Sequence, residues 1–336
     1  MGSKDRPIVG VTMGDPAGIG PEVIAKAYPQ LVDSAHPVVI GDAEILAKAV
    51  ECCDVDLDIK PIKNVQEVDP SSDTIPVFDL ENVETLEYGV VREAYGRASL
   101  EYVERAIEFA QAGVIDGIVT APINKQSTRL AGSEHAGHTG LLADRTDTEQ
   151  YSMMLIEEPL RVTHVSTHVP LRAACDLVTT ENVLGTIRVT DEALRELGID
   201  EPRIAVAGLN PHAGDARLLG NEDADEIRPA VERAQEEGID ADGPESPDTV
   251  YVGAARGQYD CVVSMYHDQG HIPIKMLGFS SGDAVSGVNV TIGLPIVRTS
   301  VDHGTAFDIA GEGIASEQSM IDAVETAANL ARRGMT

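Results

Sequence analysis

The stretch "VGVTMGDPAGIGPEV", Val9 to Val23, decides how the chain begins to fold. A short apolar run gives way to a turn carrying Gly14, Gly18 and Gly20, and Pro21 with Glu22 opens a helix. Glycines in such a turn let backbone N–H groups approach an anion at a positive helix N-terminus. Spaced as GxxxGxG, with Asp42 ending the next strand, the turn imitates a short-chain dehydrogenase. Those enzymes need a tyrosine four residues before a lysine, and none of the eight tyrosines here has one. Pro16 within the turn and Pro21 at the first helical position also suit a different loop, since proline there presets the helix and gives up a spare N–H.

Beyond this stretch, short apolar runs alternate with amphipathic segments. "PVVIGD" at 37–42, "IPVFDL" at 75–80, "DGIVTAP" at 116–122, "YSMMLI" at 151–156, "LRVTHVSTH" at 160–168, "RIAVAGLNPH" at 203–212 and "DCVVSMYH" at 260–267 read as strands. Arg92–Ala112, Glu181–Leu197, Ala224–Glu237 and Ser316–Arg333 read as helices. That rhythm predicts an α/β fold with mainly parallel strands. The segments 67–76 and 278–287 read as surface loops, and neither resembles a linker, so two domains sharing a cleft and exchanging the chain are expected.

Size and charge narrow the class. The 336 residues exceed one ordinary core. No apolar run reaches membrane-spanning length, and the first residues lack an apolar signal core, which predicts a cytoplasmic protein without a membrane partner. The 56 acidic residues against 25 Lys and Arg give a net charge of −31, and Lys is scarce among the cations. Such a surface repels nucleic acid, and it fits a halophilic interior where dense salt screens self-repulsion. Cys52, Cys53, Cys175 and Cys261 show no metal spacing and read as reduced, buried thiols.

Three of the nine histidines end strand-like runs: His168 in "VSTHVPLR", His212 in "GLNPHAGD" and His267 in "SMYHDQGH". Ligands of open α/β sheets gather at strand carboxyl ends, and three imidazoles there form a divalent metal site with an open position. His164 shares a strand with His168 at an even offset, so it reads as packing or support behind a ligand. After Lys125 the chain keeps a single lysine, Lys275, in "HIPIKMLGF". An ammonium just past a metal ligand suits an anion anchor or proton-transfer group. Arg298 in "GLPIVRTS" and Asn289 in "SGVNVTIG" complete a phosphate or carboxylate clamp. His138 and Thr139 open a helix in "HAGHTGLLAD" and offer another anion-friendly terminus, with Thr139 as its N-cap in the plainer reading.

Taken in order, "VTMGDPAGIGPEV", "TAPINK", "GHTG", "THVPLR", "GLNPHAGD", "SMYHDQGHIPIK" and "GLPIVRTSVDHGTAFDIAG" resemble the 4-hydroxythreonine-4-phosphate dehydrogenase family of pyridoxal phosphate biosynthesis over nearly the whole chain. GDPAGIGPE and the segment His303–Gly311 also resemble the wider β-decarboxylating dehydrogenases. The resemblance implies an isopropylmalate dehydrogenase-like fold, two α/β/α subdomains around a central cleft, and not a Rossmann domain. The expected division is 1–125 plus 288–336 for the first subdomain and 126–287 for the second, which holds most metal and substrate ligands. Carried over, the resemblance makes His168, His212 and His267 the metal ligands, in a site completed across a homodimer. His138, Thr139, Lys275, Asn289 and Arg298 fall on substrate positions, and His303, Gly304, Thr305 and Asp308 on the cofactor loop, where Phe307 replaces a proline. Residues 276–288 are longer than the family's usual connection, and "GTAFDIAG" is similar to a sister group acting on four-carbon sugar-acid phosphates.

The implied reaction is metal-dependent oxidation of 4-hydroxythreonine 4-phosphate at C3 by NAD or NADP, with Lys275 as the base. Decarboxylation to 3-amino-2-oxopropyl phosphate follows. The alternative substrates are D-threonate or D-erythronate 4-phosphate, giving dihydroxyacetone phosphate. Three imidazoles favour zinc over cobalt, magnesium or manganese. A rival of another class is a non-redox metal-dependent hydrolase or binding protein for a phosphorylated ligand.

Overall fold

The computed structural model of the protein describes residues 6–68, 71–135, 137–280 and 287–334. The chain divides into two compact units, Met1–Asp147 with Pro295–Thr336, and Thr148–Leu294. Both divisions fall later along the chain than the expected 125/126 and 287/288. Within the first unit Arg145 pairs with Glu104 at 2.5 Å, and the Gln111 side chain donates to the Arg145 carbonyl. His138 and Thr139 therefore belong to the first unit and Asn289 to the second.

The first unit contains β1 (Ile8–Thr12), α1 (Gly20–Ser34), β2 (His36–Gly41), α2 (Ala43–Cys52), β3 (Asp58–Ile62), β4 (Thr74–Asp79), α3 (Glu93–Gln111), β5 (Gly117–Thr120), α4 (Lys125–Leu130) and α5 (His138–Arg145). Its sheet has the order β3-β4-β2-β1-β5, and every pairing among these strands is parallel. Parallel strands are covered on both faces, so they need continuous apolar runs. β1, β2 and β5 supply them, with Val9, Val11, Val39, Ile40, Ile118 and Val119 all fully buried. The proline read at the helix start does open α1, and Asn124 caps α4 by accepting from the Gln126 and Ser127 amides.

The second unit contains β6 (Ser152–Glu157), β7 (Leu160–His164), α6 (Leu171–Leu177), α7 (Thr180–Glu196), β8 (Ile204–Ala207), α8 (Arg228–Glu236), β9 (Ala241–Glu245), α9 (Val250–Ala255), β10 (Cys261–Ser264), α10 (His267–Ser280) and β11 (Val288–Ile292). Its strand order is β11-β6-β7-β10-β8-β9. β10 runs parallel to both β7 and β8, while β6 is antiparallel to β7 and to β11. The chain then returns to the first unit, adding β12 (Arg298–Val301) parallel to β5 and α11 (Gln318–Arg332) packed on both.

The described part of the expected 278–287 loop is partly helical, because α10 runs to Ser280; residues 281–286 lie outside the described residues. All four cysteines are free thiols, but only Cys261 is buried and Cys175 is exposed. No helix of the described residues is long and apolar enough to cross a membrane.

Candidate active site

The three candidate metal ligands do not end their strands, as the sequence reading had it. β7 stops at His164, β8 at Ala207 and β10 at Ser264, and His168, His212 and His267 stand in the segments that follow. The even-offset reading of His164 fails with it, since His168 is past the ladder. What the sheet supplies is adjacency. β7, β10 and β8 are parallel neighbours with Ser264 opposite His164 and Val263 opposite Val206, so the three following segments leave the same sheet edge.

His168 and His267 come together, with ring centroids 5.5 Å apart, and both line a cavity of about 280 Å³ with Tyr266 and Asp268. His212 lines a larger cavity of about 720 Å³ that shares Tyr266 and Asp268. Among the described residues no three His, Cys, Asp or Glu side chains are close enough to hold a metal ion as they stand. The donors still suit a divalent ion chemically. His267 Nδ1 lies 2.7 Å from Asp268 Oδ1. A carboxylate accepts, so Nδ1 carries the proton and Nε2 is left as the donor atom, the usual support for a ligating imidazole.

His212 is held by an unusual backbone. Residues His212 to Ala216 all have positive φ, between 39° and 79°, a run of left-handed residues that costs each non-glycine member steric strain. Asp223, buried, offsets that cost by accepting from the Leu209 amide at 2.8 Å and from the Asn210 side chain at 2.8 Å. Gly208 makes room, as a Cβ there would stand 2.6 Å from Asp223 Oδ1.

Two of the expected anion-binding residues meet in the first unit. Arg298 is buried and donates to Thr120 Oγ1 at 2.6 Å. His138 begins α5, and its Nε2 is enclosed without a hydrogen-bond partner among the described residues. Burial, with the Arg298 charge second, holds the His138 imidazole well below its ordinary value, so it is neutral. Thr139 is not the cap of α5; Gly137 is, with no side-chain cap bond. In the second unit Asn289 Nδ2 donates to Met153 Sδ, and its Oδ1 is enclosed without a partner among the described residues. Enclosed open polar atoms of this kind call for a polar ligand or water. Lys275 lies two turns beyond His267 on α10, about 12 Å along the axis.

The expected cofactor segment packs on the opening glycine turn. The Ile19 amide donates to Thr305 O at 3.0 Å, and a Cβ on Gly18 would stand 2.9 Å from the same oxygen. The fully buried Glu22 accepts from the Gly311 and Gly313 amides at 2.6 and 2.8 Å. His303 Nδ1 lies 3.0 Å from Gly304 O, and Gly304 and Asp308 are exposed. The turn thus acts as a platform for residues 303–313.

Sequence reading missed His271. It sits one turn after His267, and the i, i+4 spacing in "HDQGH" would have signalled a shared helix face had 267–280 been read as helical. His164, read as packing or support behind a ligand, is buried, its ring is 4.8 Å from that of His271, and burial pushes it down to about 3.

A family model described as pyridoxal phosphate biosynthetic protein PdxA matches residues 33–327. A protein of Oceanobacillus iheyensis, provisionally named D-threonate 4-phosphate dehydrogenase, is 47% identical over 97% of this chain and 98% of its own. The crystal structure of 4-hydroxythreonine-4-phosphate dehydrogenase from Klebsiella pneumoniae is 41% identical, covers 98% of this chain and 100% of its own, and superposes with a TM-score of 0.88. The corresponding enzyme from Burkholderia phymatum is 42% identical, with coverage of 97% and 98% and a TM-score of 0.84.

Proposed function

Since the chain belongs to the pyridoxal phosphate biosynthetic protein PdxA family, we propose that it oxidises D-threonate 4-phosphate at C3 with NAD and releases CO2 to give dihydroxyacetone phosphate. Dehydrogenase activity on a phosphorylated substrate is common to the names of these relatives, which sets aside the non-redox expectation. The choice of sugar acid rests on the Oceanobacillus relative at 47% identity. The second reading, 4-hydroxythreonine 4-phosphate, is favoured by the two solved structures at 41% and 42%.

The observation that carries the chemistry is the placement of His168, His212 and His267 after three adjacent parallel strands. These residues would hold a divalent metal, zinc by the preference of imidazole; the metal would supply Lewis acidity at the C3 hydroxyl and NAD a hydride acceptor. Asp268 keeps the proton on His267 Nδ1. Lys275, two turns beyond His267, takes the hydroxyl proton through a chain of contacts, and Asn289 hydrogen-bonds the substrate. Arg298, neutral His138 and Thr139 bind the phosphate, whose remote attachment orients the reacting carbon. The 3-keto acid so formed loses CO2 because electrons of the breaking C–C bond flow into the ketone. His303, Gly304, Thr305 and Asp308 would hold NAD.

The enzyme works as a cytoplasmic homodimer. Leu171, Ile272 and Met276, on or beside the histidine cavities, are 60%, 57% and 68% exposed, an apolar surface that a second copy would cover. Light scattering of the purified chain checks the dimer. For the reaction, NADH formation is followed with D-threonate, D-erythronate and 4-hydroxythreonine 4-phosphates, each with zinc, cobalt, magnesium or manganese in high salt. Fastest turnover of D-threonate 4-phosphate is expected; preference for 4-hydroxythreonine 4-phosphate moves the assignment to the second reading, and no NADH with any substrate refutes both.

A further inference from the structure

The rings of His267 and His271, one turn apart on α10, stack at 3.7 Å between centroids with 10° between their planes. Behind them His164, at the carboxyl end of β7, sets Nε2 at 3.2 Å from His271 Nδ1. The protons in this arrangement are determined by the partners. His164 Nδ1 lies 3.3 Å from the Met153 carbonyl. A carbonyl only accepts, so His164 Nδ1 is the N–H and its Nε2 is a lone pair. His271 Nδ1 then faces two acceptors, that lone pair and the His267 carbonyl at 3.0 Å, and must itself carry the proton. It donates to both.

The helix reaches this position because residue 270 is glycine. A Cβ there would stand 2.6 Å from His164 Nε2 and 2.7 Å from Ser264 Oγ. His267 is consequently fixed in two ways: Asp268 sets its tautomer through Nδ1, and His271 walls the face of its ring.

We propose that His271, locked in place by His164, is a positioning residue that fixes the ring plane of His267 for divalent metal binding. This rests on the reading of His168, His212 and His267 as the metal donors. His271 acts through His267, as outer partners of ligating imidazoles do, and removing such a partner costs metal affinity about 10- to 100-fold.

The test is a titration of the full-length protein with cobalt(II), followed by its visible ligand-field absorption. Wild type is expected to bind and H267A to lose the signal; a wild type that binds no cobalt overturns the metal reading and this proposal together. With wild type binding, H271A is expected to raise the cobalt Kd about 10- to 100-fold and alter the band shape. H271N, whose amide N–H can reach the same two acceptors, should recover most of that loss, while H271F, a flat ring without the N–H, should not. Equal Kd and band shape for wild type, H271A and H271F overturn the positioning role and leave the donor set standing. If H271A fails to fold by circular dichroism, H271N against H271F decides: weaker binding by H271F supports the proposal and equal binding overturns it.

Discussion

The backbone amide of Ile19 donates to the carbonyl of Thr305 at 3.0 Å, so the glycine turn that opens the chain supports a loop contributed nearly three hundred residues later. The turn has the glycines of a phosphate loop, but this contact gives Gly18 a different duty. It lets the turn lie directly on the loop that carries Thr305.

Gly18→Val is the sharpest probe of that contact. Its Cβ would stand 2.9 Å from Thr305 O and 3.0 Å from Thr305 Cβ, so residues 303–308 must shift. The KM for NAD is expected to rise about tenfold, near 1.4 kcal/mol, with the KM for the phosphorylated substrate little changed. An unaltered KM for NAD in a folded variant removes this loop from the cofactor site.

Glu22 ties α1 to the same region through the Gly311 and Gly313 amides. Charge-assisted bonds to a buried carboxylate are among the stronger ones. Glu22→Ala leaves two amides without their acceptor, and a loss of about 3 kcal/mol is expected in urea unfolding. Glu22→Gln, which keeps one acceptor oxygen, should lose about half as much.

Asp15, in the same turn, gives a pH signature. Burial raises its carboxyl to about 6 from 3.8, against the Ala17 amide bond that lowers it. A folded-state value above the unfolded one means that the native chain holds this proton more tightly. Its contribution is therefore most favourable below about pH 4, declines as pH rises towards 6, and stays at its least favourable above that. Asp15→Asn keeps the acceptor for the Ala17 amide, so the variant should match wild type near pH 4 and exceed it by about 2 kcal/mol near pH 7. A stability difference that does not change with pH contradicts this assignment.

For His212, the expected result of substitution by Ala is loss of metal-dependent turnover by at least about a hundredfold with the far-UV spectrum intact. Unchanged kcat refutes its place among the metal donors. The left-handed segment makes Asp223→Ala a second route to the same loss, now with reduced stability, because the Leu209 and Asn210 bonds go with it.

The net charge of −31 yields a prediction about salt. Exposed ion pairs such as Lys63–Glu81 add little stability, whereas screening relieves the summed repulsion of the carboxylates. The unfolding midpoint should climb steadily with KCl. Full stability in dilute buffer would rule out salt adaptation as the reason for the charge.

Much of the architecture was open to inspection in the residues themselves. Buried parallel strands must be apolar throughout, which made "IVGVT" and "CVVS" legible, and helices covering them must be amphipathic, which made α3, α7 and α11 legible. Strand ends were less so. An apolar run says nothing about where the hydrogen-bond ladder stops, and "LRVTHVSTH" was read four residues too long. The unit boundary was misplaced because α5 carries no local sign that Arg145 will pair with Glu104.

The sequence by itself determined that this is an α/β dehydrogenase of its family and singled out His168, His212 and His267, although it read them as ending strands that in fact stop at His164, Ala207 and Ser264; the family and the residues follow from local patterning and from motifs read in order. Only the tertiary structure decided that β7, β10 and β8 are neighbours, that His212 rides on a left-handed turn held by Asp223, that His271 stacks on His267, and that the opening glycine turn bears on Thr305. The physical reason is the same in each case. These relationships depend on which distant segments the sheet brings side by side, and on hydrogen bonds that satisfy groups far apart in the chain.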